Sequence, residues 1–256
     1  MRKKISIITA VYNGEKLLPN LIDSIRQQTC CDTFEFIIID GGSKDQTVDL
    51  IKQNKDIVDY WISEKDEGIY DAWNKGLKAA TGAWIMFLGC DDLLMPDAIE
   101  NYTKFLSGIS KDTEFISSKV QMIDERGNFV RVKGWKWEWP KLLKEMTVAH
   151  PGALHSKKLF DVYGNFDKNF KIVGDYEFLL RAKNNLNADF MNKVTVLMRE
   201  GGVSDSLHAV KEHCLASTGT GGYSKIRAYS NAAVVASKFI LKKTLRHVGM
   251  NVYLKT

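Results

Sequence analysis

Residues 84–96 read WIMFLGCDDLLMP. The apolar run Ile85 to Leu88 leads through Gly89 and Cys90 into two adjacent aspartates, Asp91 and Asp92. Neighbouring carboxylates repel unless something positive shares them. Two readings fit the pair taken alone. Either an aspartate near Pro96 opens a helix over about 97–106, or the pair is a metal site at the end of a buried strand. The rest of the chain bears on the choice.

Upstream, apolar runs and helical spacing alternate. Ile5 to Val11, Phe34 to Ile39, Tyr60 to Ser63 and Trp84 to Leu88 read as short strands. Between them, Glu15 to Gln28, Asp45 to Asn54 and Ile69 to Ala80 carry apolar residues at helical spacing, the last closed by Thr81-Gly82. Such alternation predicts an α/β fold with a mostly parallel sheet between helices. Ligands in these folds bind where strands end at their carboxyl edge. That edge should carry Tyr12-Asn13-Gly14, Asp40-Gly41-Gly42-Ser43 and Gly89-Cys90-Asp91-Asp92, three polar loops that give the aspartate pair company a plain cap does not need.

Downstream the pattern loosens. Strands are predicted at Phe115 to Ile123, Phe129 to Val132 and Thr195 to Met198, and a helix at Tyr176 to Ala182. From about Ser206 the chain reads as helical, with a glycine-rich break at Thr218 to Gly222. Trp135, Trp137 and Trp139 alternate, so one sheet face is expected to present their rings to a sugar or to the core.

The totals suit a globule: of 256 residues, 45% are hydrophobic and 26% charged. The net charge of +5 is uneven. No acidic residue follows Glu212, while seven cations do, which leaves −2 on the first 212 residues. A basic tail suggests an anionic partner surface, lipid or nucleic acid. Four cysteines without a CxxC pattern argue for a reduced chain and against a disulfide scaffold. The run after MRKK ends at Tyr12-Asn13-Gly14 and reads as a strand, not a leader. No stretch reaches a membrane span; the nearest, AAVVASKFIL, is broken by Lys238.

The pieces ISIITAVYNGEKLLPNLIDSI, FEFIIIDGGSKDQT, SEKDEGIYDAWNKGLKAATGAWIMFLGCDD and VGDYEFLLR, in this order, resemble the family 2 glycosyltransferases. The resemblance covers roughly residues 1–205. DEGIYDAWNKG and the later GGVS (201–204) look like bacterial transferases of exopolysaccharide and O-antigen synthesis. The fold implied is GT-A, an α/β sandwich around a mostly parallel twisted sheet, plus a helical C-terminal tail. The implied division is a catalytic domain 1–205, with a nucleotide-sugar-binding half 1–107 and an acceptor half 108–205, then a basic tail 206–256.

The resemblance implies an inverting, metal-dependent hexosyltransferase. Its donor is a nucleotide-diphosphate sugar, a UDP-hexose being the expected one. Its acceptor is a hydroxyl of a polyprenyl-diphosphate-linked sugar. Donor contacts are expected from Thr9, Val11, Tyr12, Asn13, Asp40, Asn74, Lys75 and Asp91. For Asp40 an Asx turn with Gly41 and Gly42 stands beside that reading, and for Lys75 a solvated helix face. Asp92 is the expected ligand of Mn²⁺ or Mg²⁺, which take oxygen donors. Cys90 stands where the family's motif commonly has another aspartate. Asp175 matches the family's base, with a helix N-cap as the local alternative, and Gly174 replaces the usual glutamate before it. His150, Trp137 and Glu177 are expected on the acceptor side, with Arg181 as support; Gly201 to Ser204 should close over the site. His208 and His213 are weaker candidates for the metal.

In the tail, Leu241, Leu245, Val248 and Val252 share a helical face flanked by Lys238, Lys242, Lys243 and Arg246. That pattern suits a helix on an anionic membrane, and packing on the domain or in a homodimer is the alternative. The family context selects lipid over nucleic acid and places the protein in the cytoplasm, peripheral on the inner face of the bacterial membrane. Two rivals remain: a sugar-1-phosphate nucleotidyltransferase, whose glycine-rich phosphate loop TAVYNGEK lacks, and a non-catalytic nucleotide-sugar-binding protein, which has no need of Asp175.

Overall fold

A computed structural model describes residues 4–30, 33–124, 126–202 and 206–247. The first half alternates as its pattern requires: β1 (Ile5–Val11), α1 (Leu18–Arg26), β2 (Phe34–Asp40), α2 (Thr47–Gln53), β3 (Tyr60–Ser63), α3 (Ile69–Ala79) and β4 (Trp84–Gly89). These four strands pair in parallel, in the order β3-β2-β1-β4. Both faces are covered, so nearly every strand residue is buried, as continuous apolar runs demand.

The period-2 pleat sorts the side chains into two cores. Ile5, Ile7, Phe36, Ile38, Met86 and Leu88 pack on one face with Leu18, Leu21, Ile22 and Ile25 of α1. Ile8, Ile37, Ile39, Ile85 and Phe87 pack on the other with Tyr70, Trp73 and Leu77 of α3. Gly76 lets α3 lie against β1, because a Cβ there would stand 2.4 Å from Ile8 Cγ2. Close packing, and not ligand approach, accounts for this glycine.

The second half adds β5 (Leu93–Leu94), α4 (Ala98–Leu106), β6 (Phe115–Ile123), β7 (Phe129–Lys133), α5 (Trp139–Leu142), β8 (Ala153–Ser156), α6 (Lys157–Tyr163), α7 (Gly174–Arg181), β9 (Ala188–Arg199), α8 (Leu207–Gly219) and α9 (Lys225–His247). The sheet continues as β4-β8-β6-β9-β5, with β7 beside β6. β8 is antiparallel to both β4 and β6, β9 is parallel to β6, and β5 and β7 are antiparallel to their neighbours. Among the described residues six of nine strands therefore run the same way.

Three features depart from expectation. β9 starts seven residues before the predicted Thr195, because Ala188 to Met191 pair with Phe115 to Ser118 even though their burial does not alternate. β5 and β8 are too short to show a period. The tryptophans do not line one strand face: β7 ends at Lys133, Trp135 is 57% exposed, and Trp137 and Trp139 stack at 6.5 Å beside the second core.

Candidate active site

Strand register brings the three polar loops together. Val11 pairs with Asp40, Ala10 with Gly89, and Asp40 with Ser63, so the chain leaves all four parallel strands along one edge. The loops are tied to each other. Asn13, at φ 50°, donates its backbone N–H to Ser43 Oγ (2.7 Å), and its Oδ1 accepts from Lys44 N (2.8 Å). Gly14 N donates to Thr47 Oγ1 at 2.8 Å. Beside this brace the Tyr12 ring is 62% exposed, free to meet a flat ligand.

Several expected donor contacts have other work. Thr9 lies inside β1, fully buried, and Val11 turns its carbonyl to Gly41 N (2.9 Å) with its side chain in the core. Asp40 is fully buried. Its Oδ2 accepts from Gly42 N (3.1 Å), Ser43 N (3.0 Å) and Ser63 Oγ (2.5 Å), and its Oδ1 from Ser43 Oγ. The Asx-turn reading describes it: the carboxylate builds the loop. Asn74 spends its whole amide on Phe166, donating to its carbonyl at 2.9 Å and accepting from its N–H at 3.0 Å. Lys75 Nζ is held by Glu64 (2.8 Å), Asp71 (3.6 Å) and the Lys65 carbonyl (3.0 Å), so it arrives already neutralised.

The aspartate pair does not cap α4. β5 and Met95-Pro96 intervene, and the α4 N-cap carries no side-chain bond. Instead both carboxylates fold back over Gly89. The point where a Cβ on Gly89 would sit is 2.6 Å from Asp91 Oδ1 and 3.2 Å from Asp92 Oδ2. Asp92 is 4% exposed and accepts from Gly89 N at 2.8 Å. Burial, then the neighbouring Asp91 charge, push its pKa up to about 8. Burial and both aspartates push the Cys90 thiol up to about 12, so it stays neutral.

A divalent cation fits this chemistry. The donors are hard oxygens, one carboxylate is nearly enclosed, and among the described residues neither aspartate is paired with a lysine or arginine. No group of three metal-ligating side chains exists among the described residues, so water or a bound ligand would have to supply the remaining oxygens.

Asp175 stands in the first turn of α7, half-buried. Tyr70, at the start of α3, shares its one hydroxyl proton between Asp175 Oδ1 (3.0 Å) and the Ile172 carbonyl (2.8 Å). Burial raises the Asp175 pKa above the usual carboxylate range, against bonds from the Tyr176 backbone and Tyr70 that lower it. The Tyr70 ring explains Gly174: a Cβ there would lie 2.8 Å from ring carbons. A second brace comes from α8. Buried Glu212 accepts from the backbone N–H of Lys171 (2.9 Å), Ile172 (2.9 Å) and Val173 (3.1 Å), the residues leading into Asp175. Sequence reading missed Tyr70 and Glu212. Tyr70 lay inside the DEGIYDA match; Glu212 had no local signal beyond being the last acidic residue.

The expected acceptor-side residues are mostly structural. His150 is 6% exposed, stacked on Trp73 (5.1 Å) and Phe87 (5.6 Å), and burial lowers its pKa to about 3. Trp137 packs edge-on to Phe115 and stacks with Trp139. Glu177 is buried in a fork with Arg181 (Nε 3.1 Å) and accepts from Thr220 Oγ1 (2.9 Å), joining α7 to the end of α8. His213 lies flat on Tyr176 at 4.3 Å, and His208 approaches Glu212, so neither joins the aspartate pair in a metal-ligating group. Gly201 and Gly202 are exposed; Val203 and Ser204 of the expected closing loop lie outside the described residues.

The sequence pattern of Glycosyl transferase family 2 matches residues 6–150. The PGL/p-HBAD biosynthesis glycosyltransferase of Mycobacterium bovis is 30% identical over 209 residues, covering 79% of either chain. An uncharacterized glycosyltransferase of Methanocaldococcus jannaschii is 29% identical over 187 residues, 70% of this chain and 64% of that one. Among solved structures, S. aureus TarS 1-349 in complex with UDP superposes with a TM-score of 0.67 at 18% identity, covering 91% of this chain and 70% of that one. The mannosyltransferase PcManGT of Pyrobaculum calidifontis, in complex with GDP-Man and Mn²⁺, gives 0.63 at 16%, covering 97% and 80%. Against a longer TarS structure the chain spans 43% of that protein. The sheet order, the edge loops and these likenesses agree, and the chain belongs to the family 2 glycosyltransferases, with the GT-A fold.

Proposed function

We propose that the protein is an inverting transferase that moves a hexose from a nucleotide-diphosphate donor to a hydroxyl of a lipid-linked acceptor in bacterial surface-glycan synthesis. The observation that carries this reading is a pair of carboxylates in complementary settings: Asp92, enclosed and without a cation, and Asp175, half-buried with Tyr70 on one oxygen. The donor's base and ribose lie along the Tyr12–Asn13 loop and the loop shaped by Asp40. Its diphosphate lies at Asp91 and Asp92, where Asp92 would hold Mn²⁺ or Mg²⁺. A bound divalent ion supplies charge neutralisation to the departing nucleoside diphosphate.

Asp175 accepts the proton of the acceptor hydroxyl as that oxygen bonds to the anomeric carbon and the bond to the diphosphate breaks. Its raised pKa makes it a stronger base than a solvated carboxylate. Residues 1–107 serve the donor, 108–205 the acceptor, and 206–247 complete the acceptor side through Glu212.

The tail supports membrane association. α9 exposes Ile226, Tyr229, Val234 and Leu241 beside Lys225 and Arg227. The side chain of Leu245 and residues Val248 and Val252 lie outside the described set. Among the described residues no helix is long and apolar enough to cross a membrane, so the contact we propose is peripheral, on the inner face of the cytoplasmic membrane.

The test is nucleotide release across a panel of UDP- and GDP-sugars with Mn²⁺ and a lipid-diphosphate acceptor mimic. Asp175→Asn should lower transfer by roughly 10²–10⁴-fold with UDP affinity unchanged; wild-type turnover in this variant overturns the base. Asp92→Ala should remove the metal dependence of UDP binding, and unchanged dependence overturns the metal role.

A further inference from the structure

The body contains a cavity of about 310 Å³ bounded by α7, α8, α9 and the segment after α5. Most of its wall is apolar, with Met146, Ile172, Val173, Val210, Ala232 and Val235 among the lining; Lys133, Lys144 and Glu145 add charged side chains. Asp175 lines it, and no residue of 1–107 does. The cavity therefore adjoins Asp175, and its walls are drawn from residues 133–235 alone.

Polar side chains interrupt the wall, Ser217, Asn231 and His213 among them. His213 lies flat on Tyr176, and its buried Nε2 has no hydrogen-bond partner. The floor is not loose backbone, because Glu212 fixes residues 171–173 through three N–H groups.

Helix α9 connects the cavity to the outer surface. Ala228, Asn231, Ala232 and Val235 face the cavity at i, i+3, i+4 and i+7 spacing. Ile226, Tyr229, Val234 and Leu241 are exposed on the rest of the helix. One wall of the cavity is thus a helix whose outer side is itself suited to a lipid surface. An engineered core cavity of about 150 Å³ admits benzene, so this one has room for roughly two such groups.

We infer that this cavity binds the apolar aglycone of the acceptor, an alkyl or aryl group adjoining the hydroxyl that Asp175 deprotonates. The inference rests on the transferase reading above and adds the chemical class of the acceptor's inner end. A free sugar or a fully hydroxylated oligosaccharide would leave the apolar wall in contact with water or with unpaired hydroxyls, so affinity should follow the aglycone.

The experiment titrates the full chain with methyl, hexyl and phenyl β-D-glucoside by ligand-observed NMR, alongside UDP with Mn²⁺. Hexyl and phenyl glucoside should bind about tenfold more tightly than methyl glucoside, the scale of burying one apolar group. Ala232→Phe, which fills the cavity from α9, should erase that preference while UDP affinity stays within about twofold. Val210→Phe approaches from α8 and decides the matter should the first variant not fold. Equal binding of the three glucosides, or a preference that survives both substitutions, overturns the inference. The transferase reading has its own readout in nucleotide release, so an aglycone preference without any donor turnover sinks that reading, and the acceptor assignment with it, and leaves only a cavity for apolar groups.

Discussion

At Asp175 a single hydroxyl tunes the proposed chemistry. Tyr70 donates to the carboxylate and so favours its ionised form, opposing the effect of burial. The base acts only when ionised, so kcat/KM should rise with pH through the raised Asp175 pKa. Removing the donor in Tyr70→Phe should shift that acid limb to higher pH and lower the rate at pH 6 more than at pH 8. A pH–rate profile that does not move assigns Tyr70 to packing alone. Gly174 obeys the same geometry. Gly174→Ala puts a methyl about where the Tyr70 ring lies, and overpacking of this kind costs about 1–3 kcal/mol. Chemical unfolding should register that loss, together with a fall in turnover as Tyr70 leaves Asp175.

Among the elements, α8 contributes most beyond its own hydrogen bonds. Its N-terminal half carries Glu212 to the loop ahead of α7, and its end carries Thr220 to Glu177. Glu212→Gln leaves an oxygen to accept but turns an NH₂ toward backbone donors. Hydrogen bonds to a charged acceptor are worth about 1.5–3 kcal/mol each, so the loop should loosen. The expected result is a kcat about tenfold lower, with the KM for donor and the UDP affinity little changed. A change confined to donor affinity would assign Glu212 to something other than positioning the base.

On the scale of the whole molecule, the sheet buries two histidines it cannot charge. His150 and His155 sit in an aromatic cluster with Trp73, Phe87, Phe160 and Phe166. Burial lowers the first from the ordinary 6.5 to about 3 and the second well below its usual value. Below pH 6.5 the unfolded chain binds protons that the folded chain refuses. Stability is therefore complete above 6.5 and lost as pH falls toward the folded values, by about 1.4 kcal/mol per pH unit for each group. Urea midpoints between pH 7 and 5 should record this slope. His150→Phe, similar in shape and uncharged, should reduce it by about 1.4 kcal/mol per pH unit, and an unchanged slope would place the acid sensitivity elsewhere.

The sequence by itself determined the N-terminal half of the sheet: β1 to β4 and α1 to α3 form nearly where their apolar periods predict, because local patterning and parallel pairing agree there. It also placed Asp92 and Asp175 at element ends, where residue type and position carry the signal. What the tertiary structure decided is how each polar side chain is spent. Asp40 closes a local turn with Ser43 but also turns inward to Ser63, 23 residues on, Asn74 clamps Phe166, 92 residues on, and His150 stacks on Trp73 in the core. Short strands such as β5 and β8 exist only through pairing with distant neighbours, and the cavity beside Asp175 exists only where α7, α8 and α9 meet. No local pattern encodes such contacts, since their free energy comes from groups that the chain brings together only on folding.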